Sequence, residues 1–170
     1  MLLQTSSEYS FWKQSTSLVS RLAPPELEAV LAHELGHFSL RHVWKRMAVG
    51  SAAGLVLLWT LGWLMAQEWF YGALGVSSPS TAMALVLFFI VTPSFTFLLQ
   101  PLASLYSRRQ EFEADAYAAQ HADAGELVRG LVKLYEDNAA TLTPDPLHSA
   151  FYDSHPPAPA RIARLQSRPA

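Results

Sequence analysis

The sequence predicts a mainly α-helical chain in which a hairpin of two membrane helices is inserted into a helical domain. Two uncharged runs carry the hairpin: "MAVGSAAGLVLLWTLGWLMA" from Met47 to Ala66 and "AMALVLFFIVTPSFTFLL" from Ala82 to Leu99. At ~1.5 Å per residue, twenty helical residues span about 30 Å, the thickness of a hydrocarbon core. The composition agrees, with 51 % hydrophobic and only 15 % charged residues. Soluble domains carry roughly 25 % charge, so part of this chain is expected to face lipid. Helix-end signals and alanine-rich stretches on either side of the runs supply the helical domain.

Taken in order, residues 1–22 are polar and aromatic without a clear period, which supports at most a short helix or an edge strand. The N-terminus lacks both a basic region and an apolar core, so it does not read as a signal peptide. "APPELEAVLAHELGHFSLRHVWKRM" reads as one helix. Pro25 suits its first turn, Glu26 and Glu28 complement the positive end of the dipole, and Lys45 and Arg46 gather at the far end. The hairpin follows, with Pro93 expected to kink its second arm. Its linker holds Trp69, Phe70 and Tyr71, as an interfacial belt does, and no Lys or Arg. Arg41, Lys45 and Arg46 precede the pair and Arg108 and Arg109 follow it, so the positive-inside rule puts both flanks in the cytoplasm. Gly50 and Gly54 form a G-x-x-x-G able to seat a further membrane helix closely. "SLYSRRQEFEADAYAAQHA" is helical by its alanine content. So is "ADAGELVRGLVKLYEDNAA", where Asp123 and Glu126 have capping-box spacing and Leu127, Leu131 and Leu134 form a stripe. The proline-rich tail from Thr141 reads as loop before a short closing helix.

Several function classes are excluded at once. Without cysteine there is neither a disulfide framework nor a thiolate metal site, which leaves His, Asp and Glu as ligands. Lys and Arg fall in short groups at segment ends, so no basic face for nucleic acid exists. The chemistry concentrates in "HELGH". On a helix His33 and His37 lie one turn apart on one face and can grip a single metal ion. Glu34 sits about 100° further round, which puts a carboxylate beside the metal rather than on it, as a general base requires. Zinc lowers the pKa of bound water to about 7, and such a base takes the proton as the water attacks a carbonyl. A third ligand must come from elsewhere, and "SRRQEFEAD" offers it. Glu111 and Asp115 share a helical face, whereas Glu113 points away from both and pairs with Arg109 four residues earlier. Glu111 is therefore the expected ligand, and Asp115 the carboxylate that orients a ligating imidazole. The hairpin separates the two halves of this site in sequence, and because both its ends lie on one side it returns Glu111 to the histidines.

In this order "HELGH", a two-segment apolar hairpin, "SRRQEFEADAYA" and "SHPPAPARI" resemble the integral-membrane CAAX prenyl protease family of zinc metallopeptidases, over residues 21–167. The resemblance implies a zincin-type helical metalloprotease fold, with Zn2+ held by His33, His37 and Glu111, Glu34 as base and Asp115 in support. It further implies that His155 lies near the substrate carbonyl, to stabilise the developing oxyanion, and that Arg161 braces the site. His42, His121 and His148 stay structural or surface residues. One peptidase domain over residues 1–170 is expected, truncated on its N-terminal side, with a peptide or protein substrate, the bilayer and other membrane helices as partners. The implied activity is hydrolysis of peptide bonds at the cytoplasmic face, in particular CAAX-type C-terminal processing. A membrane protein quality-control protease and an inactive zinc-binding membrane module stand beside it as alternatives.

Overall fold

The computed structural model describes residues 21–137 and 145–167, so the short helix or edge strand expected in residues 1–22 lies almost wholly outside the described residues. Every regular element among the described residues is helical. Residues Arg41–Ala103 form one compact unit, and the chain on either side of it forms a second.

In the second unit, α1 (Pro24–Ser39) starts where Ala23 N–H donates to Glu26 Oε2 at 2.7 Å, with proline in the first turn. It stops early. The expected single helix over residues 23–47 is divided at Leu40, whose N–H returns to Gly36 O at 3.0 Å, and at Arg41, whose φ of 56° is left-handed. Ending a helix this way satisfies a terminal carbonyl at a cost of about 1 kcal/mol for a residue with a Cβ. No glycine or proline announces it.

The inserted unit begins with α2 (His42–Met65), continues through α3 (Glu68–Ala73) and α4 (Thr81–Thr96), and tightens into a 3-10 turn over Phe97–Leu99. Ser80 Oγ caps α4 by accepting from Met83 N–H at 3.2 Å, and Pro93 lies inside the helix. Leu61, Phe70, Tyr71, Ala84, Leu87 and Phe88 make the core of this unit. The interfacial belt expected of Trp69, Phe70 and Tyr71 is thus reduced to Trp69, which stays exposed. Three consecutive helical residues span about 200° and cannot all face outward, so α3 turns Phe70 and Tyr71 inward. Tyr71 Oη donates to Met65 O at 3.1 Å. Outside this core the helices show apolar surface: Leu55, Val56, Leu58, Trp59, Phe89 and Ile90 are all exposed. Only 6 % and 17 % of the two most apolar windows are buried. Core helices of a water-soluble fold bury that surface, whereas helices long and apolar enough to cross a membrane expose it to lipid. A Cβ added at Gly50 or Gly54 meets nothing within 4 Å, so no described residue occupies the G-x-x-x-G face.

After the insert come α5 (Gln100–His121), α6 (Ala124–Asp137), α7 (Pro146–Tyr152) and α8 (Ala158–Gln166). Asp123 Oδ1 caps α6 by accepting from Glu126 N–H at 3.0 Å, while the Glu126 side chain turns to Arg129 instead of closing the box. Helix α7 replaces part of the expected loop. Asp145 Oδ1 accepts from Leu147 and His148 N–H at 2.9 and 2.8 Å, and Pro146 fits the first helical turn. The apolar core is Ala29, Ala32, Ala118, Leu127, Leu131 and Leu165, with α1 and α8 both packed on α6. Leu134 of the expected stripe is half-buried. Lys133 Nζ reaches the buried Glu26 carboxylate at 2.6 Å and ties α6 to the start of α1.

Helix α1 meets α5 at Gly36. A Cβ there would lie 3.1 Å from Tyr117 Cβ and 3.2 Å from both Cα and O of Ala114. Backbone atoms cannot swing aside, so Gly36→Ala should lower thermal stability by about 1 kcal/mol, the balance of overpacking against improved helix propensity. A raised melting temperature would contradict this packing. Hydrogen bonds from Lys133 and Ala23 hold the Glu26 carboxyl below its ordinary value. Its contribution to stability is therefore present above the unfolded-state pKa and lost as pH falls through the lower folded value. Acid titration of Glu26→Gln by circular dichroism should show a shallower loss of stability in that window than the parent shows.

Candidate metal centre

Three side chains from two helices converge in the second unit. His33 and His37 project from α1 one turn apart, and Glu111 projects from α5. Their ligand atoms all lie within 4.8 Å of one another. His33 Nε2 is 3.2 Å from His37 Nε2 and 3.6 Å from Glu111 Oε2, and His37 Nε2 is 3.5 Å from Glu111 Oε1. Donors bound at about 2.0–2.2 Å to one tetrahedral ion are spaced about 3.3–3.6 Å apart, so these separations suit three ligands on a shared ion. Glu113, by contrast, pairs with Arg109 at 2.9 Å on the surface.

The tautomer of His33 follows from its other nitrogen. Nδ1 lies 2.9 Å from Asp115 Oδ1, a carboxylate that can only accept, so Nδ1 carries the proton and Nε2 keeps its lone pair for the cluster. Asp115 is itself gripped in fork fashion by Arg161, whose Nε and Nη2 donate to Oδ2 and Oδ1 at 2.9 and 2.5 Å. Arg161 Nη1 also approaches Glu111 Oε2 at 3.8 Å. All four groups are buried: His33, Glu111, Asp115 and Arg161 are at most 7 % exposed. Burial raises the Glu111 carboxyl, but the hydrogen bond from His155 and the charge of Arg161 outweigh it and hold the group well below the usual carboxylate range. Burial opposes the Asp115 carboxylate too, and His33 and Arg161 overcome it in the same direction. His33 moves upward, because Asp115 and Glu111 outweigh a burial that favours the neutral ring.

Glu34 follows His33 on α1 and is exposed, outside the buried cluster. His155 comes from the segment between α7 and α8; its Nδ1 is 3.1 Å from Glu111 Oε2 and its side chain is 62 % exposed. Seven residues singled out in the sequence are thereby located: His33, His37, Glu111, Asp115, Arg161 and His155 form one connected group, with Glu34 beside it. The other described histidines stand apart. His42 is buried in the inserted unit, His121 stacks on Tyr117 at 4.1 Å, and His148 lies against Tyr152 at 4.9 Å.

Sequence reasoning missed the supports. Arg164 lies 4.6 Å over the Phe112 ring and, with Arg161 one turn before it, fastens α8 to the ligand-bearing helix. Ser104 Oγ donates to Phe151 O at 3.2 Å, and Arg108 donates to Asp153 O at 3.2 Å and to Ser149 O. Tyr135 Oη donates to Pro156 O at 3.1 Å. Periodicity offered one clue, since Ser104, Arg108, Glu111 and Asp115 recur at helical spacing on one face of α5.

Comparison with known proteins places this site in context. The model of peptidase family M48 matches residues 14–169. CAAX prenyl protease 1 homolog of Homo sapiens is 31 % identical over 144 residues, covering 84 % of this chain and 30 % of the relative. That of Arabidopsis thaliana is 34 % identical over 143 residues, covering 82 % and 33 %. CAAX prenyl protease 1 of Saccharomyces cerevisiae is 32 % identical over 166 residues, covering 88 % and 36 %. The crystal structure of S. mikatae Ste24p superposes with a TM-score of 0.73 at 29 % identity, covering 87 % of this chain and 37 % of that one. The chain thus spans about a third of the length of the curated relatives it matches. With a family match over nearly its whole length, the chain belongs to peptidase family M48.

Proposed function

We propose that the chain is a membrane-bound zinc metalloendopeptidase that hydrolyses peptide bonds at the cytoplasmic face, with CAAX-type C-terminal processing as its activity. The observation that carries this reading is the convergence of His33, His37 and Glu111 at separations that fit one tetrahedral ion, with Glu34 next to the first histidine. Two imidazoles and one carboxylate form a donor set suited to zinc and leave one position open, as hydrolytic sites require. The likeness to CAAX prenyl proteases supports the substrate class. The apolar surface of α2 and α4 supports insertion in lipid, and the basic flanks support the cytoplasmic side.

Each residue then has a task. Asp115 fixes the His33 tautomer, so that Nε2 remains a ligand, and Arg161 keeps Asp115 ionised and oriented. Zinc held by His33, His37 and Glu111 would supply the Lewis acidity to polarise the scissile carbonyl and bring the pKa of water to about 7. Glu34 takes the proton of the attacking water and delivers it to the leaving amine. With Nδ1–H of His155 donated to Glu111, Nε2 of the neutral ring holds a lone pair, so the oxyanion role requires the doubly protonated ring, whose Nε2–H then donates to the carbonyl oxygen as negative charge develops.

Glu34→Gln should keep about one zinc per chain and lose peptide hydrolysis by about 10²- to 10⁴-fold, measured by elemental analysis and cleavage of a CAAX-type peptide in detergent. Retained hydrolysis would sink the assignment of the base. Hydrolysis of misfolded membrane proteins without cleavage of CAAX peptides would favour the quality-control activity, and zinc binding without any hydrolysis would favour the inactive module. Glu111→Ala should lose zinc while Glu113→Ala keeps it. Arg161→Met leaves Asp115 buried without its cation and should weaken zinc binding by about 10- to 100-fold. Competition with a chelator reads that change, and an unaltered affinity would remove Arg161 from the site.

A further inference from the structure

His155 is the exposed member of the cluster, and it lies in the segment between α7 and α8 rather than in a helix. A loop side chain within 3.1 Å of a buried carboxylate needs something to keep it there. Both sides of His155 are anchored through backbone carbonyls. Upstream, the C-terminal end of α7 presents Ser149, Phe151 and Asp153 carbonyls to α5. Arg108 donates to the first and the last, and Ser104 to the second. A cation at a helix C-terminus answers its dipole and adds a donor to its last carbonyls, of which that of Ser149 also accepts from Asp153 N–H at 3.2 Å. Downstream, Pro156 is fully buried, and its carbonyl accepts from Tyr135 Oη at 3.1 Å.

The upstream anchors share a helix with the metal cluster. Ser104, Arg108 and Glu111 lie at i, i+4 and i+7 on α5, so one face carries both the ligand and the clamp. Any movement of Glu111 with its helix therefore moves the anchor of His155 with it. Besides flanking the hairpin with positive charge, Arg108 bridges two carbonyls with separate guanidinium nitrogens, which a lysine, with its one nitrogen, would not span as well.

We propose that Arg108, seconded by Ser104 and Tyr135, is a positioning residue that holds His155 against Glu111 by clamping the backbone on both sides of it. The catalytic consequence rests on the reading of His155 given above, whereas the clamp itself does not. The test is therefore twofold. In the full chain in detergent, before zinc is added, the ¹⁵N signals of the His155 ring should show a hydrogen-bonded Nδ1. Arg108→Gln and Tyr135→Phe should each move them toward those of a free imidazole while leaving the His33 ring signals in place. Tyr135→Phe removes one hydroxyl only and carries the test if Arg108→Gln does not fold. His155 signals unmoved in the folded variants would overturn the proposal whatever the enzyme does. For the reaction, Arg108→Gln should lower kcat by about 100-fold with little change in KM, as misplacement of a group by about 1 Å does. Arg108→Lys should recover part of it. In a His155→Ala background the same substitution should cost nothing further. An equal loss in that background would show that Arg108 acts by another route. A chain that hydrolyses nothing would count against the proposed activity and leave the ring signals to decide the clamp.

Discussion

The structure depends on keeping ionised groups inside a helical unit that has only a small apolar core. Glu111 and Asp115 contribute two negative charges to a buried space and Arg161 one positive. A buried charge without a partner costs several kcal/mol, so this arrangement persists because each carboxylate is met by more than one donor. Asp115 is met by His33 and by the Arg161 fork, and Glu111 by His155 and by the charge of Arg161. One negative charge still exceeds the positive ones when the imidazoles are neutral. A dication among three donors answers that excess, which ties the electrostatics of the fold to the chemistry proposed for it.

From this centre the packing follows outward. Two histidines on α1 reach a glutamate on α5 only if the helices approach closely, and at Gly36, between those histidines, α1 lies against the backbone of α5. Small residues extend the contact, with Ala29, Ala32 and Ala118 in the core. Helix α8 then covers α5 through Arg161 and Arg164, and α6 supports α1 and α8 together. The inserted unit follows another rule. Its own core is a few aromatic and aliphatic residues between α2, α3 and α4, and the rest of its apolar surface is turned outward. In water that surface would be a liability, and in a bilayer it is the solvated face.

Much of this was legible in the sequence because its signals are periodic. The i, i+4 spacing of His33 and His37, the same spacing of Glu111 and Asp115, and the uncharged hairpin runs each express one physical requirement in a short stretch. Helical spacing chose Glu111 over Glu113, and the expected Arg109–Glu113 pair is formed on the surface. Other features are not periodic and were misread or unseen. The break at Arg41 uses a left-handed residue without glycine, so a continuous helical pattern ran across it. The inward turn of Phe70 and Tyr71 depends on a one-and-a-half-turn helix inside what reads as a linker. Asp145 followed by Pro146 is a helix-start signal that the surrounding prolines obscured. The clamp of Arg108 on backbone carbonyls leaves only the shared helical face of Ser104, Arg108 and Glu111 as a clue, because its partners are atoms that every residue has.

The most direct test of the centre is zinc K-edge X-ray absorption on the detergent-purified chain loaded with one equivalent of zinc. The account predicts two imidazole nitrogens and one carboxylate oxygen at about 2.0–2.2 Å, with the remaining scatterers being exchangeable water or buffer oxygen. A spectrum without imidazole multiple scattering, or a chain that takes up no zinc, would contradict the convergence of His33, His37 and Glu111 on a single ion.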